Sequence, residues 1–408
     1  MRSRQRQGGA VLILVVVGMV AMLAMVGLAL DGGHAMLSKT RLQNAVDAAA
    51  LSGAKELDLA SDTLRARNAA VLAFALNGSA QGNSEMGAAY ADGTIGLDVQ
   101  FSATLNPFVP GTAPPSYVRV RATNFRLPVW FANIVGATEK VVAATAVAGP
   151  SPTINTACNI APMMVCGDPD AGPPFWGYTP GEPDVLKTST NDSEIGPGNF
   201  QLIRLGDNTG GADIRLAMAG NYDGCTSGGD MVETEPGNTV GPVVQGLNTR
   251  FGSYSGPMAG TSSTYPPDVV TEQPSPLLTY DSPSDTIYEG STPVLTDADL
   301  SYNYEDYGND IEDESFDYHP PIGHYQRREV AIPIGDCSTT TNGAGDVPVL
   351  GFGCYFLLQE AQQKGNESHV FGQFVENCSA GGVPGPAPVD SPGLYIIQLY
   401  KDPDSPDA

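Results

Sequence analysis

The residues best suited to chemistry are six cysteines, four histidines and one dense acidic cluster. The cysteines are Cys158, Cys166, Cys225, Cys337, Cys354 and Cys378. None forms a Cys-x-x-Cys pair or a Cys/His ligand spacing, so a zinc site is not expected. An even number in an exported segment predicts disulfides, and the spacing alone leaves all fifteen pairings open. From Asp297 to Tyr318, acidic residues cluster among Tyr302, Tyr304, Tyr307 and Tyr318. Oxygen ligands at that density could hold calcium, with Asp306, Asp310, Glu312 and Glu314 as candidates and Gly308 at the turn. Tyr307 falls where a ligand belongs, so a solvated acidic loop is the preferred reading and no resident metal or cofactor is expected. Neither His34, His319, His324 nor His369 accompanies a Gly-x-Ser-x-Gly elbow, a His-Glu-x-x-His helix or a Ser-x-x-Lys pair, and the chain does not read as an enzyme. Gly210-Gly211 matches neither a P-loop nor a dinucleotide fingerprint, and no small-molecule substrate is predicted.

The segment that must place these residues is Ala10 to Leu30, an uncharged apolar run preceded by Arg2, Arg4 and Arg6 and followed by Asp31. About 20 apolar residues in a helix match the thickness of a bilayer's hydrocarbon core. The basic flank favours a cytoplasmic N-terminus, residues 1–9, with the rest of the chain outside. The run exceeds the apolar region of a cleaved signal peptide and lacks a clear small-x-small site, so a retained transmembrane helix over 10–30 is expected. All six cysteines then lie on the outer side. A formal charge of -25 over 408 residues disfavours nucleic acid as a partner, and the length predicts two or three domains.

After the anchor, Leu42, Val46, Ala49, Gly53 and Leu57 recur at helical steps with polar residues between them. The helix carries a small-residue face, Leu42, Ala45, Val46, Ala49 and Gly53, that lets another backbone approach, from the chain's own sheet or from another subunit. Ser61 or Asp62 can cap a second helix whose apolar side is read as Leu64, Val71, Leu72, Ala75 and Leu76, ending at Asn77-Gly78. Alternation over Ile95–Phe101, Val118–Thr123 and Lys140–Val147 predicts three strands, with a short helix over Val129–Val135.

Gly8-Gly9-Ala10, the apolar run, and the stretch LALDGGHAMLSKTRLQNAVDAAALSGAKEL from Leu28 to Leu57 resemble the N-terminus of TadE/TadG-like Flp pilus-assembly proteins, with a weaker likeness to about Gly149. The resemblance implies a single-pass inner-membrane component of a bacterial tight-adherence pilus machine, contacting other pilus-assembly or pilin-like proteins, with a pilin-like antiparallel sheet over 31–150. Related pseudopilins are cut before an apolar stretch with Glu at its fifth position. Here Ile13 or Leu14 stands there, so the resemblance implies an uncleaved anchor. Many TadG-like relatives carry a von Willebrand A-type domain, but its Asp-x-Ser-x-Ser metal loop is missing; Asp281-Ser282-Pro283-Ser284-Asp285 has the wrong spacing.

Residues 151–408 read as a β-rich mixed periplasmic domain, which makes the fold class α+β. Strands are expected at Phe200–Leu205, Arg328–Ile334, Val347–Leu358, His369–Val375 and Leu394–Tyr400, with short helices after Gly210 and over Pro242–Asn248. The run containing Val349 and Phe352 is the most apolar and should be central. Between them, 252–325 is rich in Pro, Ser, Thr, Asp and Tyr and reads as a long loop insertion that buries little. An alternative function, an anchored extracytoplasmic adhesin or ligand-binding module, would use that insertion.

Overall fold

The computed structural model describes residues 10–135, 139–189, 199–206, 210–222, 224–312, 322–339, 343–379, 381–382 and 393–405. The chain divides into two compact units. One runs to Gly149 and takes back the chain from Gln398; the other is Pro150–Ile397.

In the first unit the apolar run and the amphipathic stretch form one unbroken helix, α1 (Ala10–Ala60). At 1.5 Å per residue its 51 residues extend about 76 Å. A buried stripe runs along it at three- and four-residue steps: Gly27, Asp31, Ala35, Ser38, Leu42, Ala45, Ala49 and Gly53. Ser61 takes a left-handed φ of 51° and turns the chain. Asp62 then caps α2 (Thr63–Ser79), its Oδ1 accepting from the Leu64 and Arg65 amides at 2.7 and 3.3 Å. A third helix, α3 (Ser84–Ala91), was not read from the sequence. It crosses α2 where Gly87 meets Gly78; a Cβ on Gly87 would stand 2.4 Å from the Gly78 carbonyl oxygen.

The expected strands are present as β1 (Gly96–Ser102), β2 (Tyr117–Pro128) and β3 (Glu139–Pro150), an antiparallel meander. Val99 pairs with Val120, and Val120 with Ala146. The short helix is a 3-10 turn at Ala132–Val135. Leu394–Tyr400, expected to close the outer sheet, is instead two short strands. Gly393–Tyr395 pairs with Asn377–Ser379, whereas Ile397–Tyr400 lies beside β3 in the first unit's sheet. Two contacts account for that return. Tyr400 packs edge-on against Tyr117 at 6.0 Å. Asp402 accepts from the Thr145 hydroxyl at 2.7 Å and pairs with Arg119 at 3.4 Å.

The second unit is built on a seven-stranded sheet. Asp346–Leu357 lies at its centre, antiparallel to Glu329–Gly335 on one side and Val370–Val375 on the other, with Pro183–Lys187 beyond the latter. Val165–Cys166 joins the Glu329 strand in parallel. Two helices, Gly211–Met218 and Val240–Leu247, contribute Ile214, Met218, Val243 and Leu247 to a core with Ile332, Tyr355, Leu357 and Phe374.

The segment 252–325 is not the loop expected from its composition. It holds an antiparallel three-stranded sheet (Leu278–Asp281, Thr286–Glu289, Thr292–Val294) and a helix, Tyr304–Glu312. Met258, Val270, Leu278 and Tyr307 are all buried. Arg328, fully buried, supplies what the sparse aliphatics do not. Its guanidinium donates to the carbonyls of Glu272, Leu357 and Leu358 at 2.7–3.0 Å and lies 4.3 Å from the Phe356 ring centroid. Asp268 accepts from the Arg328 amide at 2.9 Å and from the Tyr307 hydroxyl at 3.0 Å. The buried guanidinium and the buried carboxylate are thereby given partners, which is the condition for burying them.

Candidate functional site

From Leu12 to Leu30, α1 exposes Leu12, Ile13, Leu14, Val15, Val16 and Val17 in succession, then Val20, Leu23, Val26 and Leu28. Consecutive exposed residues point to every side of a helix, so this is an apolar cylinder rather than an amphipathic stripe. It is long and apolar enough to cross a membrane.

Beyond it, the small-residue face is occupied from within the unit. Leu42, Ala45, Val46 and Ala49 are fully buried. A Cβ on Gly53 would lie 3.1 Å from the Ala70 Cβ on α2 and 3.2 Å from the Val118 Cγ1 on β2. This face receives the chain's own helix α2 and strand β2. The same close packing reverses the expected orientation of α2. Ala66, Ala70, Phe74 and Gly78 point inward, while Leu64, Leu72 and Leu76, expected inside, are each 60% exposed. The closest approaches on this side are made at alanine and glycine, with the buried Phe74 among them. At steps of eight and four residues, the three leucines form an outward ridge on α2.

The cysteines pair as Cys158–Cys225, Cys166–Cys337 and Cys354–Cys378, with Cα separations of 4.0, 5.5 and 5.7 Å. All three lie within the second unit, where they join segments 67, 171 and 24 residues apart. Of the calcium candidates, Asp306, Asp310 and Glu312 fall on the helix Tyr304–Glu312 rather than in a loop, and Glu314 lies outside the described residues. Asp306 accepts from the Asn303 amide at 3.0 Å, and Asp310 from the Tyr302 hydroxyl at 2.8 Å. Among the described residues, no three His, Cys, Asp or Glu side chains converge as a metal site.

The histidines are similarly dispersed. His34 Nε2 meets Glu85 at 2.8 Å, His324 lies beside Asp268 through its backbone, and His319 is outside the described residues. His369 packs against Tyr280, and burial together with the nearby Lys187 charge lowers its pKa. Sequence reading did not single out Lys187, although it is a heavily engaged cation of the second unit. Its Nζ donates to Asn238 Oδ1 at 2.7 Å and to the Ser368 and Thr188 carbonyls at 2.9 and 3.0 Å, while burial lowers its pKa to about 7. A charged residue folded into a β-rich unit leaves no periodic trace by which it could have been found.

No curated protein and no solved structure matches the chain. Two family profiles do. Residues 8–56, most of α1, match the family described as "Putative Flp pilus-assembly TadE/G-like". Residues 52–148, the end of α1 through β3, match "Putative Tad-like Flp pilus-assembly". The second match stops where the first unit gives way at Gly149. The helices and meander sheet from residue 8 to residue 148 are thus similar throughout to proteins of Tad-type Flp pilus assembly.

Proposed function

We propose that this chain is a membrane-anchored structural or accessory component of a bacterial tight-adherence (Flp/Tad) pilus assembly system, acting by protein–protein contacts rather than catalysis. The observation that carries the reading is a coincidence of place. The stretch similar to Tad-type pilus-assembly proteins is the one whose first helix exposes apolar side chains all round. In this reading α1 spans the bacterial inner membrane over 10–30, with its arginine-flanked end in the cytoplasm. The remainder stands in the periplasm, an oxidising compartment suited to three disulfides. The leucine ridge of α2 is the surface offered to another pilus-assembly protein, because the small-residue face is already filled.

The adhesin alternative is less favoured, because Tyr302, Tyr304 and Tyr307 bond Asp310, Glu329 and Asp268 of the chain's own fold.

Leu72→Asp with Leu76→Asp tests the ridge. Both positions are exposed, so the expected outcome is an intact, membrane-retained protein with surface pili reduced at least about tenfold, the loss expected when two central apolar contacts worth about 1–2 kcal/mol each are removed. Wild-type piliation in a strain carrying this variant would refute the ridge as the contact surface, and a strain lacking the whole chain yet fully piliated would refute the assembly role.

A further inference from the structure

The loop between β2 and β3 is fastened to α1 at the end of the apolar run. Asp31 is the first charged residue after that run, and its side chain is turned into the unit. Its carboxylate accepts three backbone N–H bonds from the loop: Oδ1 from Trp130 at 3.0 Å, and Oδ2 from Phe131 and Ala132 at 3.0 and 2.7 Å. Phe131 lies so close to Gly27 that a Cβ there would be 2.5 Å from the Phe131 Cβ. One helical turn beyond Asp31, His34 stacks on Trp130 with ring centroids 4.7 Å apart. Despite these contacts Trp130 and Phe131 remain 54% and 40% exposed.

We infer that Trp130 and Phe131 are seated in the headgroup layer of the bilayer on the side where the sheet stands, so that the β2–β3 loop fixes the unit's height above the membrane. The inference rests on the reading of 10–30 as a spanning helix, and its depth follows from helix geometry. Gly27 lies within the apolar run and His34 four residues beyond it, an axial interval of about 10 Å. A headgroup layer is about 5–8 Å thick on each side of the hydrocarbon core. Phe131 is level with the inner edge of that interval and Trp130 with the outer, where amphipathic aromatic side chains concentrate. A soluble protein would have no reason to hold both rings outward beside an exposed apolar helix. Asp31 supplies the remaining condition: a carboxylate at the edge of hydrocarbon is costly unless its oxygens are bonded, and three loop amides bond them. Arg126 and Glu139, paired at 2.7 Å where β2 and β3 enter the loop, are both exposed charges.

The chain's two tryptophans make the test direct. Full-length protein with Trp176→Phe, leaving Trp130 as the reporter, is reconstituted into phosphatidylcholine vesicles whose acyl chains carry bromine either near the headgroup or at mid-chain. The Trp130→Phe protein, reporting Trp176 of the second unit, is prepared in parallel, and both are washed with alkaline carbonate. The expected result is that Trp130 is quenched at least about twofold more by the shallow bromines than by the deep ones, the depth at which interfacial aromatics reside. Unquenched Trp130 emission, with the protein retained through the wash, would overturn the seating of the loop and leave the anchor reading intact. Stronger quenching by mid-chain bromines would overturn the headgroup placement. Release of both variants by carbonate would overturn the anchor reading and the seating with it.

Discussion

The two units each cover a sheet with helices, yet they are held together by different means. The first contains no cysteine, and its helices approach one another on Ala45, Ala49, Gly53, Ala66, Ala70 and the Gly78–Gly87 crossing. The second holds all six cysteines as three bridges and buries Arg328, Asp268 and Lys187 with their partners inside it. Close packing of small residues is a local device, dictated by which positions on a helix are alanine or glycine. Bridges and buried charge networks are distant devices, tying residues 67 or 171 positions apart. The similarity to Tad-type proteins runs over residues 8–148 of the first unit and ends before the second. The stretch similar to Tad-type proteins thus coincides with the unit whose helices pack on alanine and glycine and which has no bridge.

The largest effect that separates the units is removal of a bridge. Cys166–Cys337 closes the longest loop, and loop-closure entropy assigns it about 5 kcal/mol, against about 3 kcal/mol for the 24-residue Cys354–Cys378 loop. Replacing Cys166 and Cys337 together by serine should lower the second unit's unfolding midpoint more than the corresponding change at Cys354 and Cys378. The first unit should be unaffected, as followed by segment-resolved hydrogen exchange. A loss of protection spread equally through α2 and β2 would show that the units do not stand on separate supports.

That contrast explains which parts were legible in the sequence. The stripe Leu42, Val46, Ala49, Gly53, Leu57 was visible as a helical period, and the strand at Asp346–Leu357 as a long apolar run. The face of α2 differs from the expected one because hydrophobicity ranks leucine above alanine, whereas the inward face is built of Ala66, Ala70 and Gly78 around Phe74. The helix Ser84–Ala91 escaped because it buries Met86 with no apolar repeat around it. The fold of 252–325 was hidden for the opposite reason. Its hold is polar, through Asp268, Tyr307 and Arg328, residues far apart in sequence whose composition suggests solvent. No spacing rule could select three bridges from fifteen pairings. Asp31 stood in plain view as the residue after the apolar run, but its partners, the amides of Trp130 to Ala132, are about 100 positions away.

An intermediate effect tests the first unit's own device. Gly53→Leu forces a side chain where a Cβ alone would already press on Ala70 and Val118. Overpacking of this kind costs about 1–3 kcal/mol. Thermal unfolding of the first unit should move down while the disulfide-bearing unit keeps its midpoint. Gly53→Ala should cost less, because Cβ contacts of 3.1–3.2 Å can be relieved by shifts of a few tenths of an ångström. Equal midpoints for Gly53→Leu and the wild type would mean that α1 and α2 are not held as closely as the structure places them.

The smallest effect, and the sharpest in sign, is the pH dependence. In the first unit, burial of Asp402 opposes its ionisation. The Thr145 hydroxyl, the Asp404 amide, Arg119 and Arg121 together outweigh burial and hold its carboxyl below the ordinary range. A carboxyl lowered on folding contributes stability that is complete above its unfolded value near about 3.9 and is lost as pH falls through the folded value. In the second unit, burial drives Asp268 and Asp184 the other way, above the ordinary range, despite the Arg328 charge beside Asp268 and the Val185 amide bonded to Asp184. Their contribution is complete below about pH 3.9 and is lost as pH rises toward their raised folded values. Acidification from about pH 6 to about pH 3 should therefore loosen the attachment of Ile397–Tyr400 to β3 while relieving a cost around Asp268. Relief of repulsion among the excess acidic groups acts on the whole chain, so the informative quantity is the difference between the units. Hydrogen exchange corrected for its intrinsic pH dependence should show protection falling at Ile397–Tyr400 relative to Glu329–Gly335. Asp402→Asn should remove most of that difference, because the amide still accepts from Thr145 but no longer titrates; persistence of the full difference in that variant would assign it to some other group.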